Sequence, residues 1–252
     1  MFRTEQAGAR LILTLDRAPV NAINDAWLAG FHDLLDGLEA RSDVALLHIR
    51  SGHKVFCAGM DIAHIADLSQ RADGADAMVR DVGEFQRAFA RLEALPQVVL
   101  AEIGGAALGG GLELALACDL RVAANEAKLG LPEANLGLIP GAGGTQRLTW
   151  LCGKGVAARL ILSGEVVNGQ TALALGLVQW SAPRDTLGEV ATGLAERIAG
   201  LSAGSLREAK RLIAAAADGA RDGFAEELEA DRRLFDDPGT RARIARFLAG
   251  GR

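Results

Sequence analysis

IGGAALGGGLELALACDLRVAANEAKLGLPEANLGLIPGAGGTQRL, residues 103–148, holds five glycines in Gly104–Gly111 and four in Gly137–Gly144. Glycine gives up more backbone entropy on folding than any other residue, so a cluster needs a reason. The reason is either a positive φ or a close approach of the backbone to something else. Tight turns and close helix packing are one reading. A GGG immediately before a helix-favouring run allows another. Unpaired N–H groups at a helix start suit an anion, or an oxygen that becomes anionic during reaction. Each cluster has a carboxylate beside it. Glu113 lies two residues past Gly111, in the first turn of LELALACD, and Glu133 lies four residues before Gly137. An acidic residue at a helix start can simply offset the helix dipole. Two of them, flanking two glycine clusters in largely uncharged sequence, point to acid/base groups beside an oxyanion site.

Outward from this stretch the pattern alternates. Val98–Ile103 and Asp119–Ala123 read as strands around a helical Leu112–Ala117. Arg10–Asp16 and Val44–Arg50 read as earlier strands, and Leu177–Trp180 as a late one. Trp27, Leu28, Phe31, Leu34, Leu35 and Leu38 recur at helical spacing behind a candidate N-cap, Asp25. Strand and helix in turn predict an α/β core. From about residue 185 the chain becomes charged, Ala-rich and Leu-rich. Helices are expected at Leu187–Ala199, Leu206–Ala217, Gly223–Phe235 and Thr240–Leu248. Thr186 with Glu189, and Ser205 with Glu208, have capping-box spacing. The expected division is a core over residues 1–184 and a helical subdomain over 185–252.

Glycine supplies 31 of the 252 residues and proline only 6, so neither a collagen nor a Pro/Gly linker is in view. Half the chain is apolar and the net charge is −5, which supports a sizeable core and argues against a broad nucleic-acid surface. Cys57, Cys118 and Cys152 are far apart and odd in number, so a disulfide framework or structural zinc site is not expected. No signal peptide is legible at the N-terminus. The longest charge-poor stretch, Ala94–Cys118, is broken by Glu102, Glu113, Pro96 and five glycines, so no membrane span is expected. A cytoplasmic location follows. There is no Walker A, GxGxxG, GxSxG or HExxH motif. His32, His48, His53 and His64 show no metal-ligand spacing, and no metal is expected. Asp61 and His64, three apart, read as a local polar pair.

A further glycine sits in Phe56-Cys57-Ala58-Gly59-Met60-Asp61-Ile62, after a strand and before a helix. It would let the Met60 N–H turn toward a ligand, while the Met60 side chain packs. The central stretch, this FCAGMDI and the N-terminal LDRAPVNAIN occur in one order along the chain. Together they resemble the motifs of the crotonase (enoyl-CoA hydratase/isomerase) family, over essentially the whole length.

That resemblance implies a crotonase-like α/β spiral of ββα units, followed by C-terminal helices that mediate trimerisation. A homotrimer or a dimer of trimers is the implied assembly. It implies that the Met60 and Gly110 N–H groups form an oxyanion hole for a thioester carbonyl. It puts Glu113 and Glu133 on the two catalytic glutamates. Ala22, Ala58, Asp61 and Ile62 match the path of CoA, Gly109 belongs to the same binding loop, and Pro132, Gly137 and Gly141 match the acyl side. CoA enters as part of an acyl-CoA substrate, and no separate cofactor is implied. The implied reaction is hydration of a 2-enoyl-CoA to a 3-hydroxyacyl-CoA. Other readings stay open: Δ3-Δ2 isomerisation, thioester hydrolysis, decarboxylation, or a non-catalytic CoA-binding role. Two departures stand out. Gly104 replaces a common Asn or His. The tail lacks the lysine that often meets CoA phosphates, leaving Arg246 or Arg252 as substitutes.

Overall fold

The computed structural model describes residues 1–250. Each turn of the chain lays down a strand of a large sheet, a short extended segment beside it, and then a helix. The first turn is β1 (Phe2–Ala7), β2 (Arg10–Leu15), the segment 20–23, and α1 (Asp25–Glu39). The second is β3 (Leu46–Ser51), the segment 56–60, and the pair α2 (Ile62–Gln70) and α3 (Gly74–Ala94). The third is β4 (Val98–Ile103), β5 (Ala107–Leu108) and α4 (Gly110–Leu116). The fourth is β6 (Leu120–Ala124), β7 (Lys128–Gly130), a 3-10 turn at Glu133–Leu136, and α5 (Gly144–Ser163). Then come β8 (Val166–Asn168), α6 (Gly169–Ala174) and β9 (Trp180–Ala182). Four helices close the chain: α7 (Leu187–Ala199), α8 (Ala203–Ala215), α9 (Gly223–Asp236) and α10 (Pro238–Leu248).

The large sheet has the order β1-β2-β3-β4-β6-β9. Only β1 is antiparallel to its neighbour; every other pair is parallel. Buried on both faces, β2 and β4 are nearly continuous apolar runs, as parallel strands require. The small sheet is β5-β7-β8. Single bridges extend it, Cys57 to Ala107 and Ile23 to Met60. The turns of the spiral therefore stack their post-strand segments side by side, and that stacking assembles the site.

α1 buries Trp27, Leu28, Phe31, Leu35 and Leu38 against the sheet. Its cap is Asn24, whose side chain accepts from Trp27 N (3.0 Å); the expected cap, Asp25, is the first helical residue. Neither expected capping box forms. Thr186 makes no cap bond; its hydroxyl donates to Pro183 O instead (3.2 Å). α8 starts three residues before Leu206, where the Ser202 hydroxyl accepts from Ser205 N (3.3 Å). Ser205 is thus already in the first turn, and Glu208 pairs with Arg211 and Arg233. α7 places Leu187, Ala191, Leu194, Ala195 and Ile198 in the core, whereas α8–α10 bury little beyond Ala215 and Ala230.

One buried cation fixes α4 to the sheet. Arg121 on β6 is 2% exposed. Its guanidinium donates to Ala115 O (3.1 Å) and Cys118 O (2.6 Å) at the end of α4, and to Leu177 O (2.9 Å). A cation at a helix C-terminus also meets the negative end of the dipole. Arg121→Met leaves Cys118 O and Leu177 O without these donors, while Ala115 O keeps the Cys118 N–H (3.2 Å), at roughly 1–3 kcal/mol for each buried group left unpaired. Urea denaturation should show a loss of about 3 kcal/mol or more at unchanged m. A loss below about 1 kcal/mol would show that the carbonyls find other partners.

Candidate active site

Two backbone segments touch at the end of the small sheet. Phe56 N and Cys57 N both donate to Ala106 O (2.9 and 3.1 Å), and Leu108 N donates to Cys57 O (3.1 Å). The contact continues into α4 because Gly111 has no side chain: a Cβ there would lie 2.0 Å from Cys57 O. Gly59 turns the chain at φ +87°, and a Cβ on it would lie 2.8 Å from Gly110 N. A Cβ on Gly110 would in turn lie 3.4 Å from Met60 N and 3.4 Å from the Phe85 ring. The Met60 and Gly110 amides therefore border one space that only glycines leave empty. Among the described residues, neither N–H donates to any protein acceptor.

The two glutamates follow adjacent parallel strands. β5 pairs with β7, Ala107 opposite Leu129, and Gly109 N donates to Gly130 O (3.0 Å). β5 runs into α4, which carries Glu113 in its first turn. β7 runs through Pro132 into the 3-10 turn that opens with Glu133. Strands running the same way deliver both carboxyls to the same end. Glu113 is 3% exposed, and its Oε1 accepts from Gly144 N (2.8 Å), the first residue of α5. Burial pushes the Glu113 carboxyl up to about 7, and the nearby Glu133 adds to the rise. The Gly144 amide opposes it. Burial also raises the Glu133 carboxyl. Its Oε2 is buried without a hydrogen bond, and its Oε1 lies 3.0 Å from where a Cβ on Gly109 would stand. Two carboxyls, each raised by burial, thus lie at the end of adjacent strands that also leads into the Gly110 amide.

The remaining expected residues fall on two sides. On one, residues 20–23 run along residues 58–61: Ala58 N donates to Val20 O (3.0 Å), Ile23 N to Gly59 O (2.8 Å) and Asp61 N to Ile23 O (3.1 Å). This gathers Ala22, Ala58, Asp61 and the exposed Ile62 at one edge. Arg17 ties that edge, donating to Ala22 O (2.7 Å) and reaching Asp61 (3.4 Å). On the other side, Pro132 precedes the 3-10 turn, Gly137 ends it at φ +71°, and Gly141 lies against Val82 of α3. The Gln86 side chain holds Gly141 O (2.6 Å).

The expected Asp61–His64 pair does not form. Asp61 caps α2, accepting from Ala63 N (3.1 Å), and His64 meets Asp81 of α3 (2.7 Å). Asp25 joins them, so ligand atoms of Asp25, His64 and Asp81 lie within 4.8 Å of one another. Arg246 lies on the exposed α10, and Arg252 lies outside the described residues. No described helix is long and apolar enough to cross a membrane.

Sequence reasoning missed Asn21. It is fully buried at φ +53°, a conformation Asn tolerates better than most residues. Its Oδ1 accepts from Arg17 N (2.8 Å), and its amide donates to Ser51 Oγ (2.8 Å) and Phe56 O (2.9 Å). It thereby locks residues 17–22 to the strand leading into Met60. The available signal was Asn two residues after Pro in a short turn.

The profile of the enoyl-CoA hydratase/isomerase family matches residues 5–248. The 2,3-dehydroadipyl-CoA hydratase of Escherichia coli is 37% identical over 227 residues, 89% of this chain and 85% of that protein. The crotonyl-CoA hydratase of Syntrophomonas wolfei is 42% identical over 204 residues, 79% of this chain and 74% of that protein. The solved structure of a Bacillus anthracis enoyl-CoA hydratase superposes with a TM-score of 0.91 at 32% identity, covering 99% of this chain and 96% of that one. Pseudomonas aeruginosa DspI superposes with a TM-score of 0.91 at 36% identity, over 99% and 94%.

The Gly111 contact is testable by stability. Gly111→Ala forces Cys57 and α4 apart, and overpacking of this kind typically costs about 1–3 kcal/mol. Gly155, on α5 with no neighbour within 4 Å of its Cβ position, is the control. Chemical denaturation should find Gly111→Ala destabilised by about 2 kcal/mol or more and Gly155→Ala not destabilised. Equal stabilities would show that the two backbones are not in forced contact.

Proposed function

We propose, from the premise that this chain belongs to the enoyl-CoA hydratase/isomerase (crotonase) family and shares its α/β fold, that it hydrates 2-enoyl-CoA thioesters to 3-hydroxyacyl-CoA. The observation that carries this reading is the pairing of two undonated backbone amides that border one space, Met60 and Gly110, with a buried carboxyl, Glu113, and a half-buried one, Glu133, at the same end of adjacent parallel strands. Family membership implies acyl-CoA substrates. The thioester oxygen accepts from both amides, and the charge that develops there during addition is stabilised by donors already in place. Each such donor is worth about 3–4 kcal/mol of the barrier. Ionised Glu113 takes a proton from water, whose oxygen bonds to C3. Glu133, whose hold on a proton burial strengthens, delivers a proton to C2, where it bonds to the electron pair of the thioester enolate. One water is added, and the proton gained by Glu113 replaces the one lost by Glu133. The edge gathering Ala22, Ala58, Asp61 and Ile62 holds the CoA portion.

The same reading has copies of the chain assemble as a trimer or a dimer of trimers through residues 185–252, beyond the catalytic core of residues 1–184. Its support is the apolar surface of α9 and α10, where Phe224, Leu228, Phe247 and Leu248 are each more than 70% exposed. Apolar surface on that scale marks contact faces.

Loss of crotonyl-CoA absorbance measures the reaction. Glu113→Gln and Glu133→Gln should each lower kcat by about 10²-fold or more. The wild-type rate should rise with pH through about 7, as Glu113 ionises, and Glu113→Gln should lose that limb. Stability runs the other way. A carboxyl that titrates near 7 in the fold and near 4.5 unfolded contributes stability that is full below 4.5 and lost as pH rises through 7. Between pH 5 and 8, wild type should therefore lose up to about 3 kcal/mol relative to Glu113→Gln. Undiminished turnover in both variants would exclude the acid/base assignment.

A further inference from the structure

The loop that meets Glu113 is held by a cation that the chemistry above does not use. Gly144 N donates to Glu113 Oε1 (2.8 Å), and a Cβ on Gly144 would lie 2.9 Å from that oxygen. The place of this amide depends on residues 141–144. Arg147 stands three residues further along α5, on the same face of the helix. Its Nη1 donates to Ala142 O (2.9 Å), and its Nε and Nη2 donate to one oxygen of Glu93 on α3 (3.2 and 3.0 Å). The guanidinium lies against the backbone of Gly143, at φ +106°, where a Cβ would collide with it. α3 thus clamps the loop twice, with Gln86 on Gly141 O (2.6 Å) and with Glu93 through Arg147. Residues 86 and 93 are seven apart and share a face of α3.

A cation in this place works against the helix that carries it. Positive charge near a helix start meets the positive end of the dipole. The Arg147 side chain is only 11% exposed, so it has also given up most of its hydration. Its partner Glu93 is exposed, and an ion pair with an exposed partner returns little. What the position does offer is Glu113. The charged groups that bear on that carboxyl are Glu133, from the turn after β7, and Arg147, from α5, with opposite signs. Glu93 of α3 is engaged with Arg147. The Gly144 and Ala142 backbone groups favour the ionised form of Glu113, as Arg147 does. Arg147 therefore acts twice. It holds the Ala142 peptide by its oxygen, and its charge opposes the rise that burial and Glu133 cause.

We propose that Arg147 is a positioning residue for Glu113: it fixes residues 141–144 so that the Gly144 amide stays on Oε1, and it supplies a nearby positive charge when the carboxyl ionises. The proposal rests on the reading of Glu113 as the group that takes a proton from water.

Two readouts separate the proposal from that reading. Carbon NMR of protein labelled at its glutamate carboxyls titrates Glu113 directly, its signal identified by its loss in Glu113→Gln. The pH profile of kcat on crotonyl-CoA reports turnover. Arg147→Gln removes the charge but keeps a donor for Ala142 O, and Arg147→Met removes both. Loss of a nearby cation disfavours the carboxylate, so the Glu113 midpoint should move from about 7 to higher pH. The shift should be about one pH unit in Arg147→Gln and at least as large in Arg147→Met, and the rising limb of kcat should move with it. Arg147→Lys keeps the charge and should hold the midpoint within about 0.3 unit of wild type, even where its kcat falls. At pH 6 Arg147→Gln should then turn over about tenfold more slowly than Arg147→Lys. A purely structural role would lower stability in all three and leave the midpoint in place. An unchanged midpoint in a folded neutral variant, or an equal shift in Arg147→Lys, would overturn the proposal. If the midpoint moves as expected while no enoyl-CoA is hydrated, the Arg147 assignment stands and the hydratase reading falls.

Discussion

The site depends on one contact, the backbone of Cys57–Met60 lying directly against the backbone of Leu108–Gly111. Side chains would hold these segments apart. Glycine at 59, 110 and 111 removes them, and the Met60 and Gly110 amides come to border a shared space. Much of the surrounding structure holds that contact in place. The parallel order of β3, β4 and β6 sets the two segments side by side. Arg121 anchors the far end of α4, and Asn21 anchors the turn before Phe56. A donor pair fixed in this way needs no reorganisation when charge appears, which is the condition for strong electrostatic stabilisation.

The carboxyls follow a complementary logic. Apolar surroundings disfavour the ionised form, so burial raises both Glu113 and Glu133. An ordinary carboxylate at neutral pH has no proton to give. Glu113, pushed up to about 7, can both accept and release one near neutral pH. The Gly144 amide, donating to Oε1, keeps Glu113 from being pushed further. The second glycine cluster, Gly137–Gly144, thus supports Glu113 as much as it shapes the loop beside Glu133.

Much of this was legible in the residues. Both glycine clusters, both glutamates and the Met60 turn are local patterns, and local patterns survive into the fold. What was not legible depends on partners distant in sequence. His64 has Asp61 three residues away, yet it pairs with Asp81, because helix α3 folds back on α2 and Asp61 is taken by the cap. Ser205 and Glu208 have capping-box spacing, but Ser202 offers an earlier cap, and ion pairs with Arg211 and with Arg233 of α9 claim Glu208. Val82, Phe85 and Gln86 look like an ordinary helix face. Their place beside Gly110 and Gly141 comes only from the packing of α3 across the site. β7 and β8, at three residues each, are too short to announce themselves.

The most direct measurement is a crystal structure of the Glu113→Gln protein with crotonyl-CoA bound. The account predicts the thioester oxygen within about 3 Å of both Met60 N and Gly110 N, with C2 facing Glu133 and C3 facing residue 113. A thioester oxygen that touches neither amide, with crotonyl-CoA otherwise fully bound, would contradict it.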